Sequence, residues 1–394
     1  MVERTYWQRR IEEAWQTRPI VWLRGVRRSG KTTLAQSLPN VEYFDCERNE
    51  VRERVETVEP FLRSVSGRRV VLDEVHRLRD PSAVLKIAAD HYPSTRILAT
   101  GSSTLQASAK FRDTLTGRKW EVWLVPLVHA DLAAFGSCDL ERRAVIGGMP
   151  EPFLAGSLDR SYVSEWLDSY WLRDIQELFH LGTTWQFRRL CELLLADSGG
   201  VFEATRYTQA CELSRQTVGN YLAILEATSV ANVIRPFSTR RAAEIVRAPR
   251  VYLFDSGFAG VMRGWSRPRD ADLGVLWEHV VLNELIGRVP YLSANHWRTK
   301  GGSEVDFVLA RPGRDPLAIE CKWSLEGART LTGLAAFRRA YPKGANLVVV
   351  ADVETGFATQ RGGLDVEVVG LGELAGRVLS WQSGDDLQEQ DARG

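Results

Sequence analysis

The sequence predicts an α/β chain with a parallel-sheet domain first, a helical part in the middle and a second α/β unit near the end. Three stretches carry that prediction. Gly25-Val-Arg-Arg-Ser-Gly-Lys-Thr32 lies between an apolar, β-forming run, Ile20 to Leu23, and a helix-forming run, Thr33 to Leu38. Val70, Val71 and Leu72 form a short continuous apolar run that ends in Asp73-Glu74, which reads as a strand buried on both faces. Glu304-Val-Asp-Phe-Val-Leu309 and Pro316-Leu-Ala-Ile-Glu-Cys-Lys322 set carboxylates into otherwise apolar strands.

A chain of 394 residues suits two or three domains at roughly one per 150 residues. A hydrophobic fraction of 44%, a charged fraction of 26% and a net charge of +1 describe an ordinary soluble protein. Any nucleic-acid surface must therefore come from local clustering of arginines. Cys46, Cys138, Cys191, Cys211 and Cys321 are scattered and form no C-x-x-C pair, so neither a disulfide framework nor a zinc site is expected. The N-terminal residues show no apolar signal region, and no apolar run approaches the roughly 18–20 residues of a membrane helix. A cytoplasmic protein with no membrane partner is the expectation.

Taken in order, residues 3–18 read as an amphipathic helix. The loop Gly25–Thr32 matches G-x-x-x-x-G-K-[ST] in the strand–turn–helix setting that gives this motif its chemistry. Gly25 and Gly30 let the backbone approach phosphate oxygens, and the N–H groups of Arg28, Ser29 and Thr33 join that cradle. Lys31 supplies charge for the β- and γ-phosphates, and Thr32 a hydroxyl for magnesium. ATP and Mg2+ are the expected ligands. Residues 41–45 form a second strand and 50–66 a helical stretch. In the run ending at Asp73-Glu74, Asp73 is placed to hold magnesium through water and Glu74 to polarise the attacking water. Residues 81–91 read as helix. Arg96 to Ser103 is a further buried strand whose small polar end offers Thr100 or Ser102 to the γ-phosphate; capping of the next helix by Ser102 and Ser103 is the competing reading. Arg118 ends a helix before the strand 121–125. It reads either as a charge that reaches a neighbouring subunit's nucleotide or as a local ion-pair partner.

The order Gly25–Thr32, Asp73-Glu74, Thr100-Gly-Ser-Ser103 and Leu115-Thr-Gly-Arg118 resembles the AAA-type ATPases of a large prokaryotic family with a C-terminal domain of unknown function. Ile146-Gly-Gly-Met-Pro-Glu-Pro-Phe153 and Tyr170-Trp-Leu-Arg-Asp-Ile175 extend the resemblance, which covers about residues 5–375. It implies a P-loop (AAA-type) domain over 1–136 and a helical lid over 137–185, with catalytic roles for Glu74 and Arg118 and a homo-oligomer formed through Arg118. Trp166, Tyr170 and Phe179 recur at helical spacing and read as core.

Residues 186–250 change character. Two helices, a third capped by Ser214 and a strand at 230–234 follow the winged-helix pattern. Arg215, Gln216, Thr217 and Asn220 at the start of the third helix suit base or phosphate contacts with DNA. Arg235, Arg240, Arg241, Arg247 and Arg250 add a local basic cluster. Winged helices also bind protein or merely join domains. Residues 251–380 place Glu278 on a helix, Asp306 on one strand, and Glu320 and Lys322 two apart on the next, hence on one face. That set resembles the PD-(D/E)XK nuclease core, which implies magnesium held by Asp306, Glu320 and Glu278, with Lys322 orienting the attacking water. A solvated strand face produces the same alternation. Residues 381–394 read as a disordered polar tail. The whole predicts an ATP-hydrolysing protein coupled to a magnesium-dependent, nuclease-like domain. The alternative is a non-cleaving ATP-driven switch that binds DNA or a protein partner in a stress, toxin–antitoxin or phage-defence system.

Overall fold

The computed structural model describes residues 2–101, 113–176, 184–238, 248–265 and 268–384, with Arg173 described in its backbone only. After a helix Thr5–Thr17, the strands β1 (Ile20–Arg24), β2 (Glu42–Asp45), β3 (Arg69–Asp73), β4 (Arg96–Thr100) and β5 (Lys119–Trp123) form one sheet in the order β2-β3-β4-β1-β5. Every pair in it is parallel. The pleat sends alternate residues to opposite faces. Val21, Leu23, Val71 and Leu98 pack with Trp7 and Ile11 on one side, and Ile20, Trp22, Val70, Leu72 and Ile97 pack with Phe61 and Leu85 on the other. Burial on both faces is why these strands read as unbroken apolar runs. β4 lies between β1 and β3, so the carboxyl ends of the loop strand and the acidic strand flank that of β4.

The middle of the chain is helical. The helices His129–Leu132, Leu140–Ile146, Pro150–Ala155 and Arg160–Tyr170 lead into a π-helical turn, Trp171–Ile175. The helices Thr184–Ala196, Ala204–Cys211 and Arg215–Ala227 follow. Trp166 stacks on Tyr170 and Phe254 with centroids 5.3 and 4.7 Å apart, so these aromatics are core as expected; Phe179 lies outside the described residues.

The second sheet has eight strands, in the order β12-β13-β11-β10-β9-β8-β6-β7. They are β6 (Ala231–Pro236), β7 (Arg250–Leu253), β8 (Ala294–Arg298), β9 (Glu304–Leu309), β10 (Leu317–Lys322), β11 (Asn346–Val350), β12 (Phe357–Arg361) and β13 (Leu364–Val369). The long helix Asp270–Arg288 and the helices Thr332–Ala340 and Leu371–Ser383 cover it. Two details differ from the sequence reading. The strand β6, placed there in a separate unit ending at 250, belongs with the C-terminal sheet, because it pairs with β8 as well as with β7. Phe237, just past β6, is buried against Phe337 and Tyr341 of the C-terminal core. Residues 381–383, assigned to a disordered tail, finish the last helix, since Trp381 is only 7% exposed and packs into the core. Residues 385–394 lie outside the described residues.

Gly147 and Gly148 join the parts. Asp255 is fully buried and accepts hydrogen bonds from the N–H groups of Gly148 (2.7 Å), Gly257 (2.9 Å) and Phe258 (3.3 Å). Beside it, buried Arg143 donates to Leu127 O at 2.7 Å and Ser256 Oγ at 3.2 Å. Gly147 has φ +91° and a Cβ there would sit 2.0 Å from Asp255 Oδ1. Gly147→Ala is therefore expected to lose about 2–3 kcal/mol through strain and overpacking. Gly274, inside the helix Asp270–Arg288, faces open space, and Gly274→Ala should gain about 0.5–1 kcal/mol of helix stability. Urea unfolding midpoints of the two variants, moving in opposite directions, check both.

Candidate functional site

The loop Gly25–Thr32 crosses the carboxyl end of β1. Gly25 is required there, since a Cβ would lie 2.4 Å from Leu124 O. Gly30 takes φ +91° and Arg28 φ +62°. The loop borders a cavity of about 390 Å3 lined by Gly25, Arg27, Arg28, Gly30, Lys31, Thr32 and Thr33, with Glu74, His76 and Asp174 opposite. Lys31 Nζ donates to Gly25 O at 2.9 Å and Val26 O at 3.0 Å. Burial lowers its ammonium pKa despite the carboxylates of Glu74, Asp174 and Asp73. The Ser29 hydroxyl is buried, packed towards Gly25, and makes no hydrogen bond. Its N–H, expected in the cradle, donates to Val26 O at 3.3 Å.

Asp73 ends β3 at 2% exposure. Its Oδ1 accepts from Thr100 Oγ1 and its Oδ2 from Tyr43 OH at 2.5 Å. Thr100 Oγ1 also accepts from Glu74 N at 3.2 Å. Thr100, one of the two sequence candidates for a γ-phosphate contact, is thus spent on bracing the acidic strand; the other, Ser102, lies outside the described residues. Glu74 sits at φ +53°, a conformation that turns its carboxylate off the strand axis beside His76 Nδ1, 3.0 Å away. Burial raises the Glu74 pKa, but the His76 hydrogen bond and the charge of Lys31 outweigh it and the net shift is downward. Glu74 is therefore ionised at neutral pH, as a water-polarising base must be. Arg118, expected either to reach a neighbour or to pair locally, makes a bidentate pair with Asp90 of its own chain at 2.6 and 3.1 Å.

The donor set fits magnesium at this site. The Thr32 hydroxyl opens onto the cavity, and Asp73 and Glu74 are hard oxygen ligands. With both Asp73 oxygens already engaged, Asp73 would meet the ion through its water. Sequence reasoning missed four contributors. Arg4 donates to Ser29 O at 3.1 Å while pairing with Asp131, Tyr43 holds Asp73, His76 holds Glu74, and Asp174 pairs with Arg27 at 3.5 Å. His76 stood at the end of the acidic-strand stretch with no role drawn from it, and Asp174 in the motif Tyr170–Ile175, where nothing local said that the motif returns to the loop.

On the helix Arg215–Ala227, Arg215, Gln216 and Asn220 are exposed and Thr217 half-buried. Ser214 caps it, accepting from Thr217 N at 3.1 Å. Of the basic cluster, Arg240, Arg241 and Arg247 lie outside the described residues. Arg235 pairs with Glu226 at 3.0 Å. Arg250 is no surface cation: it is buried, and it points into the C-terminal carboxylates.

Those carboxylates do converge. Arg250 Nη2 donates to Glu278 Oε2 at 2.7 Å and Nη1 to Asp306 Oδ1 at 3.5 Å. Tyr252 OH shares Glu278 Oε2 at 2.6 Å, and Cys321 N donates to Asp306 Oδ2 at 2.8 Å. Lys322 Nζ reaches Glu320 Oε1 at 2.8 Å, leaving Glu320 Oε2 buried with no hydrogen bond. Among the described residues no group of three or more His, Cys, Asp or Glu side chains is arranged to hold a metal. As they stand, Glu278, Asp306 and Glu320 do not fit the expected magnesium: the Arg250 guanidinium occupies Glu278 and Asp306, and the Lys322 ammonium occupies Glu320.

Residues 17–132 match the family model of an AAA domain, residues 137–269 a domain of unknown function (DUF8612) and residues 273–371 another (DUF4143). The N-terminal part is thus similar to an AAA domain, and it has the α/β fold and five-stranded parallel sheet described above. Uncharacterized proteins of Mycobacterium tuberculosis and Mycobacterium bovis are each 28% identical over 335 residues, covering 82% of this chain and 74% of theirs. A Walker-type ATPase of Pyrococcus abyssi aligns over 67% of this chain and 96% of its own, with 16% identity and a TM-score of 0.45. No helix among the described residues is long and apolar enough to cross a membrane.

The carboxylate cluster carries a pH signature. Burial and the Asp306 charge push Glu278 up to about 7 and Glu320 up to about 8, against Arg250 and Lys322. The folded state then holds protons that the unfolded chain releases near pH 4.5. Stability is complete below that pH and falls as pH rises towards about 8, by several kcal/mol. Urea unfolding from pH 5 to 8 should show that fall, and Glu278→Gln with Glu320→Gln should flatten it.

Proposed function

We propose that the protein binds and hydrolyses ATP with magnesium and uses the nucleotide cycle as a switch on a nucleic-acid partner. The observation that carries this reading is the convergence of Lys31, Thr32 and an ionised Glu74 on one cavity, with Asp73 adjoining Glu74 at the end of β3. Lys31, once offered phosphate oxygens, exchanges two neutral carbonyl partners for anionic ones, a gain in a partly desolvated site. Magnesium, when bound, supplies further charge neutralisation at the β- and γ-phosphates. Glu74, fixed by its left-handed backbone and by His76, accepts a proton from the attacking water. Thr100 and Tyr43 keep Asp73 in register behind it. Lys31→Ala should abolish nucleotide binding. Glu74→Gln should keep binding and lose about 10²–10³-fold in turnover. Measuring AMP-PNP affinity and phosphate release in both variants tests the assignment.

The exposed start of the helix Arg215–Ala227 supports a winged-helix contact with DNA. Binding should weaken with salt through counterion release, and Arg215→Ala should lower the slope of log affinity against log salt by about one phosphate's worth. DNA affinity measured across a salt series decides this. Salt-independent binding, or none, would turn the reading towards a protein partner.

A second reading has its own support in the buried, unpartnered Glu320 Oε2 beside Lys322. In it the C-terminal unit is a PD-(D/E)XK-like nuclease, opened when Arg250 leaves the carboxylates. Plasmid cleavage in magnesium or manganese, lost in Lys322→Ala, would establish it. Because Arg250 occupies the cluster, the non-cleaving switch is the function the geometry supports best.

A further inference from the structure

The loop's arginines are claimed by the segment above them. Arg27 Nη1 lies 3.5 Å from Asp174 Oδ2, in the π-helical turn Trp171–Ile175. Arg28 pairs with Glu165 and lies over the Tyr162 ring, 5.3 Å from its centroid. Trp166 Nε1 donates to Arg27 O at 3.0 Å. Tyr162, Glu165, Trp166 and Asp174 all come from one continuous stretch, Arg160–Ile175.

The two ion pairs differ in weight. The Glu165 side chain is 66% exposed, so its pair is screened and adds little. The Asp174 side chain is 9% exposed and faces the phosphate cavity, where charges interact strongly. Its charge also acts on Lys31. A buried carboxylate that acts on Arg27 and Lys31, two of the three cations of the loop, occupies the electrostatic role of a phosphate. π-helical turns insert one residue and re-aim side chains, and they recur at functional sites.

We propose that Asp174 is an internal competitor for the phosphate site: it holds Arg27 until the polyphosphate of a nucleoside triphosphate displaces it, and that exchange unlatches the segment Arg160–Ile175 from the loop. The proposal rests on the nucleotide-binding reading above and adds its regulation. The same segment buries Trp166, Tyr170, Trp171 and Ile175 against Phe187 and Tyr221, so unlatching acts directly on the helices that carry the candidate nucleic-acid face. Asp174 acts through Arg27, as a positioning residue.

The probe is AMP-PNP with magnesium. Asp174→Asn should bind it about tenfold more tightly than wild type, a change of ~1.4 kcal/mol. Asp174→Glu, which keeps the charge, should stay near wild type, and Glu165→Gln should change affinity less than twofold. In the double variant Arg27→Met/Asp174→Asn the tightening should vanish. Unaltered or weakened binding in Asp174→Asn overturns the proposal. Hydrogen exchange on the wild type needs no variant: amides of 160–176 should exchange faster with AMP-PNP, and unchanged or slower exchange overturns the latch. If wild type binds no AMP-PNP at all, as Lys31→Ala should not, the nucleotide-binding reading itself has failed.

Discussion

A carboxylate removed from water must be met by donors that replace its hydration. That constraint ties this chain together. Asp131 is met by Arg4 at 2.6 Å, by Trp7 Nε1 at 3.1 Å and by Val128 N at 3.0 Å. Asp255 is met by Gly148, Glu284 by His129 N at 2.8 Å, and Glu278 by Arg250. In each case a donor lies at least 28 residues away, and usually in another part of the molecule. Each carboxylate therefore fixes a junction rather than a local turn, and the nucleotide loop inherits its geometry from them: Arg4 holds Ser29 only because Asp131 holds Arg4.

The elements that were legible in the sequence are those whose cause is local. Continuous apolar runs gave β1, β3 and β4 because both faces of that sheet are covered. Gly25 and Gly30 marked the loop because backbone geometry excludes a side chain there. Glu304–Leu309 matched residue for residue and the third helix began at Arg215, since the apolar run of one and the Ser214 cap of the other are written in neighbouring residues. What escaped was tertiary. No spacing rule sends Asp174 back to Arg27, and none tells Arg250 to leave a basic surface for a buried acid cluster. The β6–β8 pairing rests on two residue pairs and one buried phenylalanine, Phe237, too little signal to detect beforehand. Trp381 lay at the edge of a polar run whose composition hid one large buried ring.

The two acidic sites show how the same residue types reach different states. At the N-terminal site, hydroxyl donors hold Asp73 and an imidazole holds Glu74, and the cavity stays open. At the C-terminal site, cations of the chain itself already occupy Glu278, Asp306 and Glu320. The carboxylate pattern is common to both. The partner set separates a site ready for an external cation from one that has satisfied itself.

Gly287, near the end of the helix Asp270–Arg288, allows a close junction. A Cβ there would meet Val125 at 2.6 Å, Val128 at 3.1 Å and Trp7 at 3.3 Å. With Glu284 capping His129 N one turn earlier, the exit of β5 and the first helix complete their packing against residues synthesised about 155 to 280 positions later. During translation the N-terminal sheet must wait, with Trp7 and Val128 uncovered, for the ribosome to deliver this helix. The nucleotide-binding half is thereby finished by the half that follows it, so a chain cut short between them would leave the tunnel with an apolar seam exposed.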